Sequence, residues 1–302
     1  MDTRQLKFFL ALAESLHFGR AGQVCHLSTS ALSRSIRQLE EEVGVALFVR
    51  DNRSVRLTPE GLLFQGYARE ALQHWDMLRF SLLERSAALR GELSLYCSVT
   101  ASYSFLYTLL SDFRRDHPGI EIKLHTGDPE HAIARVLAGD EDVAIAARPD
   151  VLPRELGFRP ITVSPLVFIV PRNEPQLESL LAGAIPPANW EKIPMILSES
   201  GVSRQRVDRW FGDLGIKARI YAQVAGNEAI VSMVGLGFGV GVVPRIVLDA
   251  SPLSDRVRLL PVTPELAPYE VGLVARRKSL RNPLVRALWE QPEGRPRPVD
   301  SP

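Results

Sequence analysis

The stretch LSTSALSRSIRQLEEEVGVALFVR, from Leu27 to Arg50, decides how the rest of the chain is read. Ser28 can cap a helix, Ala31, Leu32, Ile36, Leu39 and Val43 recur at helical spacing as its inner face, and Gly44 ends it as a C′ residue. The opposite face carries Thr29, Ser30, Ser33, Arg34 and Arg37, which is more hydroxyl and guanidinium than a helix needs for solubility. The acidic run Glu40, Glu41 and Glu42 then puts negative charge at the far end.

Upstream, Leu6, Phe9, Leu10 and Ala13 form one apolar face of a first helix. HFGRAGQVCHLS supplies Phe18, Ala21, Gly22 and Val24 as packing positions, with Leu27 buried after a turn. Downstream, β-prone Leu47 to Arg50 and Ser54 to Leu57 flank the turn formers Asp51 and Asn52, a small hairpin bearing Arg50, Arg53 and Arg56. Thr58, Pro59 and Glu60 start another helix with no strong break before about Ala88. Its stripe of Leu62, Leu63, Tyr67, Leu72, Trp75, Leu78 and Leu82 is too long for so small a domain to cover, so a second copy of the helix is its expected partner.

Three short helices followed by a basic hairpin describe a winged helix-turn-helix. The third helix is expected to read base edges of double-stranded DNA with its N-terminal half, while the hairpin runs along the backbone or into the minor groove. Thr29, Ser30, Ser33, Arg34, Arg37, Arg50 and Arg53 are the expected contacts. The glutamates would repel phosphate and so point away from DNA.

Lys and Arg number 36 against 35 Asp and Glu, so any basic patch is local. Cys25 and Cys97 lie outside any zinc or disulfide spacing, and the six histidines show no ligand pattern. No metal and no cofactor are expected, and no catalytic constellation stands out, so the chain does not read as an enzyme. MDTRQLKFFLALAE resembles neither a signal peptide nor an anchor, and no apolar run is long enough to span a membrane, so a cytoplasmic location is expected.

After Arg90 short β-rich runs alternate with helices, the order of an α/β domain with mostly parallel strands. Proline-marked segments near 161–165 and 263–268 suggest two chain crossings between lobes. A small anionic ligand between lobes would be held by amides and hydroxyls at strand-to-helix turns, where open α/β sheets bind ligands. Four turns offer such groups: Ser98, Thr100, Ala101 and Ser102; Thr126 and Gly127; Ser200, Gly201 and Ser203; and Gly226 with Asn227. GFGVGVVP has dinucleotide-like glycines, but VVPRI follows where a phosphate-binding helix should start.

FLALAES, HFGRAGQVCHLSTSALSRSIRQLEEEVGVALFVRDNRSVRLTPEG and the α/β half resemble the LysR-type transcriptional regulators over the whole chain. The resemblance implies an α+β protein: a winged helix-turn-helix at 1–58, a linker and dimerisation helix at 59–90 and an effector-binding domain at 91–293. That last part is like a periplasmic binding protein, with lobe I at 91–162 and 268–293 and lobe II at 163–267. The proline-rich end, 294–302, is expected to be disordered. Dimers assembling into tetramers, and RNA polymerase as a further partner, are also implied. Within the family, GELSLYCSVTASYS, HPGIEIKLHTGD and NEAIVSMVGLGFGVGVVPRIVL are similar to activators of branched-chain amino acid synthesis, which implies acetolactate or acetohydroxybutyrate as effector.

Overall fold

The computed structural model describes residues 1–50, 54–83, 89–181 and 185–291. Arg53, the end of the long helix beyond Leu83 and the tail at 294–302 lie outside the described residues. Two compact units are present, Met1–Ala87 and Ala88–Pro302.

The first unit contains α1 (Thr3–Ser15), α2 (Phe18–Val24), α3 (Thr29–Val43), an antiparallel hairpin of β1 (Phe48–Arg50) and β2 (Val55–Leu57), and α4 (Pro59–Leu83). Local chemistry sets the boundaries. Asp2 and Gln5 form a capping box on α1, and the Ser28 hydroxyl accepts from the Ala31 amide at 3.2 Å. Gly44 takes φ +82° at the end of α3, where a Cβ would be strained. The Thr58 hydroxyl accepts from the Gly61 amide at 2.9 Å to start α4.

Leu6, Phe9, Leu12, Leu32, Ile36, Leu39, Leu47 and Phe48 form the core. Phe9 sits between Phe48 of the hairpin and Phe64 of α4, with ring centroids at 5.2 and 4.8 Å. A fully buried side chain of this size contributes about 1.5–3 kcal/mol, so Phe9 ties α1 to the hairpin and to the first turns of α4 at once. Two positions differ from the sequence expectation. Val24 is 71% exposed and Val43 38%, because the last turns of α2 and α3 project beyond the core they start on. Leu72 also differs, packing against this core rather than joining an outer stripe. Leu63, Tyr67, Trp75 and Leu82 remain exposed and fall within about 120° of one another at helical periodicity.

The second unit has two five-stranded sheets. One has the order β4-β3-β5-β12-β6, with β3 (Gly91–Cys97), β4 (Ile120–Thr126), β5 (Val143–Ala147), β6 (Leu156–Ser164) and β12 (Tyr269–Arg276). The other has the order β11-β7-β10-β8-β9, with β7 (Leu166–Pro171), β8 (Pro194–Ser198), β9 (Arg219–Val224), β10 (Val240–Pro244) and β11 (Val257–Leu260). Each is the sheet of one lobe.

In both sheets four strands run one way and one runs against them: β12 in the first and β7 in the second. The exception has a simple cause. β6 passes into β7 through one residue, and β11 leads back to β12, so each reversed strand is the one by which the chain arrives from the other lobe. A strand entering at the cleft must run away from it. The other four in each lobe therefore end at the cleft, and their following turns converge there. Central strands such as β5 (VAIAA) and β10 (VGVVP) are buried almost throughout, as helix-covered parallel strands must be.

Candidate functional site

On α3, Thr29, Ser30, Arg34 and Arg37 are exposed and Ser33 is half-buried. Arg34, Arg37 and the hairpin's Arg56 have no hydrogen bond or ion pair among the described residues. These three guanidinium groups are therefore open to a partner outside the chain.

Arg50 does not belong with them. Its guanidinium pairs with the Glu40 carboxylate and lies over the Phe18 ring at 5.4 Å. Glu40 also accepts from the amides of Leu47 and Phe48 at 2.9 and 3.0 Å. The first glutamate of the acidic run is therefore turned inward, tying α3 to the hairpin. Its charge holds Arg50 in place instead of repelling phosphate, and Arg50 becomes a clamp with its charge already matched. Glu42 pairs with the terminal ammonium of Met1.

In the second unit a cavity of about 190 Å³ opens between the two lobes. Gly201, Ser203, Gly226 and Asn227 line it, as does the end of β8 at Ser198. Sequence reasoning missed Asp128, Glu130 and Gln205 in that lining. Acidic side chains repel an anion, so in sequence they carry no signal of an anion site. No Arg or Lys is among the lining residues, so the groups the cavity offers an anion are amides, hydroxyls and helix ends.

Several expected residues are placed elsewhere. Thr126 is exposed at the end of β4, an edge strand, and Gly127 packs beneath the Tyr96 hydroxyl, which donates to the Asp128 carbonyl at 2.8 Å. The Ser98 hydroxyl accepts from the Ala101 amide at 3.1 Å, and Ser102 donates to the Val99 carbonyl at 2.6 Å. Thr100 is only 6% exposed, and both its amide, at 2.9 Å, and its hydroxyl donate to Glu228. Ser200 donates to Glu130. Thr100, Ser102 and Ser200 thus already have acceptors within the chain.

Burial pushes the Glu130 carboxyl above its ordinary range, and the Ser200 hydrogen bond partly offsets this. Burial also pushes the Cys97 thiol up to about 11, so it is protonated at neutral pH. Among the described residues no three His, Cys, Asp or Glu side chains converge as metal ligands. Among those residues, too, no helix is long and apolar enough to cross a membrane.

Comparison with known proteins agrees with both halves. Residues 3–62 match the bacterial regulatory helix-turn-helix proteins of the lysR family, and residues 86–293 match the LysR substrate binding domain. The HTH-type transcriptional activator IlvY of Salmonella typhimurium is 42% identical over 293 residues, covering 96% of this chain and 99% of that one. IlvY of Escherichia coli is 42% identical over 299 residues, covering 96% and 98%. In fold the chain is similar to a full-length OxyR variant from Pseudomonas aeruginosa, with TM-score 0.70, 22% identity and coverage of 100% and 99%. It is also similar to full-length CbnR complexed with its target DNA, with TM-score 0.63, 22% identity and coverage of 96% and 98%.

Proposed function

Because this chain belongs to the LysR family of bacterial helix-turn-helix regulators, we propose that it is an IlvY-like transcriptional activator of branched-chain amino acid synthesis, switched by acetolactate or acetohydroxybutyrate. The observation that carries the pathway is 40–42% identity to IlvY proteins of several bacteria over nearly the whole chain, in both the helix-turn-helix and the sensor.

The mechanism follows from the two units. Thr29, Ser30, Ser33 and Arg34 at the start of α3 enter the major groove, where an arginine can fork onto guanine O6 and N7. Arg37 and Arg56 lie against phosphates, and Arg53 is a further contact expected from the sequence. Arg50 holds the hairpin at its angle to α3 through Glu40. The α4 helices of two chains pair along Leu63, Tyr67, Trp75 and Leu82, and dimers assemble into tetramers that span successive half-sites. RNA polymerase is the partner on the activated promoter, and the cytoplasm is where the protein works.

The effector enters the interlobe cavity with its carboxylate toward Gly201, Ser203 and the Gly226–Asn227 turn. Its effect on transcription comes from unequal affinity for two arrangements of the lobes. The test is a gel shift on the DNA upstream of the acetohydroxy acid isomeroreductase gene of the same genome, with calorimetric titration of acetolactate into the full-length protein. Specific retardation and saturable heat are expected. Retardation with no acetolactate binding would leave a LysR-type regulator of another pathway.

A further inference from the structure

Two carboxylates cross the cleft in opposite directions. Glu228, near the start of the helix Asn227–Gly235 in the second lobe, accepts from the amide and the hydroxyl of Thr100 in the first. Glu130, in the first lobe, accepts from the Ser200 hydroxyl in the second and lies against Gly201, where the helix Gly201–Asp213 begins. A third link, more open to solvent, joins Asp150 of the first lobe to Arg209 of the second at 2.8 Å.

The surroundings are shaped to the carboxylates. Gly201 has φ +88°, and a Cβ there would collide with the Glu130 carboxyl group, so only glycine permits that approach. Thr100 is buried, and a buried donor without an acceptor is costly, which keeps Glu228 on it although that carboxylate is itself exposed. Glu130 alone of the two faces the cavity, beside Gly201, Ser203 and Asn227.

We infer that Glu130 and Glu228 are the sensor's own stand-ins for an anionic ligand, each lobe lending a carboxylate to the other's donors, and that an effector binds by displacing Glu130 from Ser200 and Gly201. The inference rests on reading the cavity as the effector site. An incoming carboxylate cannot share the Ser200 hydroxyl and the space against Gly201 with Glu130, since two like charges at hydrogen-bonding distance disfavour each other and no Arg or Lys lines the cavity to offset them. Displacement breaks one of the two carboxylate links while Glu228 keeps the other as a hinge. The exchange of an internal for an external carboxylate is thereby converted into a change in lobe arrangement. It also sets selectivity: a ligand must carry a carboxylate to replace one, so uncharged analogues of the same size do not switch the protein.

The experiment uses full-length protein in two arms. In the first, without ligand, hydrogen exchange is followed by mass spectrometry in wild type, Glu228→Ala and Glu130→Ala. The segment holding the Thr100 amide should exchange about tenfold faster in Glu228→Ala, and the segment from Ser200 to Gln205 about tenfold faster in Glu130→Ala. Wild-type exchange in both variants overturns the inference. In the second arm acetolactate is titrated calorimetrically. Removing the internal competitor should tighten binding about tenfold in Glu130→Ala, and Glu130→Gln, which keeps the side chain's size and fold, should tighten it as well. Weaker binding in both overturns the displacement and makes Glu130 a direct contact. If wild type does not bind acetolactate, the effector reading falls, and the ligand-free arm still decides the carboxylate links by itself.

Discussion

The two units treat their polar groups in opposite ways. On α3 and the hairpin, Arg34, Arg37 and Arg56 stand exposed and unpaired. Around the cleft, Thr100 and Ser200 are each matched by a carboxylate of the opposite lobe. The difference follows from the partners. DNA arrives with dense fixed charge and rewards every free cation with released counterions, so a reader gains by leaving its arginines open on a rigid core. A sensor with open donors would accept any passing anion. Filling them internally makes the ligand compete, and the competition is what couples binding to movement.

The largest expected effect tests whether the free arginines act as paired sets. Trp75→Glu combined with Leu82→Glu places carboxylates on the exposed face of α4, and the dimer should dissociate. Operator affinity should fall by roughly a hundredfold or more, because each chain keeps one half-site. An intact dimer by sedimentation would remove the seam. Leu72→Glu should behave differently, destabilising the first unit by about 1–3 kcal/mol, since Leu72 packs on its core.

Arg34 and Arg50 divide the comparison within one unit. Arg34→Ala should lose about 1–3 kcal/mol of discrimination between operator and random DNA, with stability unchanged within about 0.5 kcal/mol. Arg50→Ala should cost about 1–2 kcal/mol of stability, because Glu40 and the Phe18 ring lose their cation, while base preference is retained. Competition binding and denaturant melts read the two quantities separately. The assignment is inverted if the two variants exchange phenotypes.

Smaller still is Arg56→Ala, for which the slope of log K against log salt should become shallower by about one phosphate contact. An unchanged slope would place Arg56 off the backbone. Cys97 marks the quiet extreme: its thiol, held near 11, should resist iodoacetamide in the native protein at pH 7.5 and react once the protein is unfolded. Rapid native alkylation would show that the strand bearing it opens.

What could be read from the sequence was local. The Ser28 and Thr58 caps, the left-handed Gly44 and the hairpin are fixed by residues within a few positions, and they stand where the pattern put them. The mostly parallel sheets were legible from strand and helix alternation. The clamp between Glu40 and Arg50 was not, because a run of three glutamates looks alike from outside until a tertiary turn brings one to the hairpin. Val24 and Leu72 failed for a related reason: an apolar residue does not declare which surface covers it. Thr100 and Glu228 are 128 positions apart, and nothing in either neighbourhood announces the other. The turns around the cleft were found as donors, but their internal acceptors needed the fold.

The measurement that bears most directly on the account is footprinting of full-length protein on the DNA upstream of the acetohydroxy acid isomeroreductase gene, with acetolactate titrated from zero to saturation. The account predicts a footprint that changes in half-site occupancy or bending with effector while overall affinity moves little, because the ligand acts through lobe arrangement and linker spacing, not through α3 itself. A footprint that stays the same at every acetolactate concentration, on DNA the protein binds specifically, would contradict it.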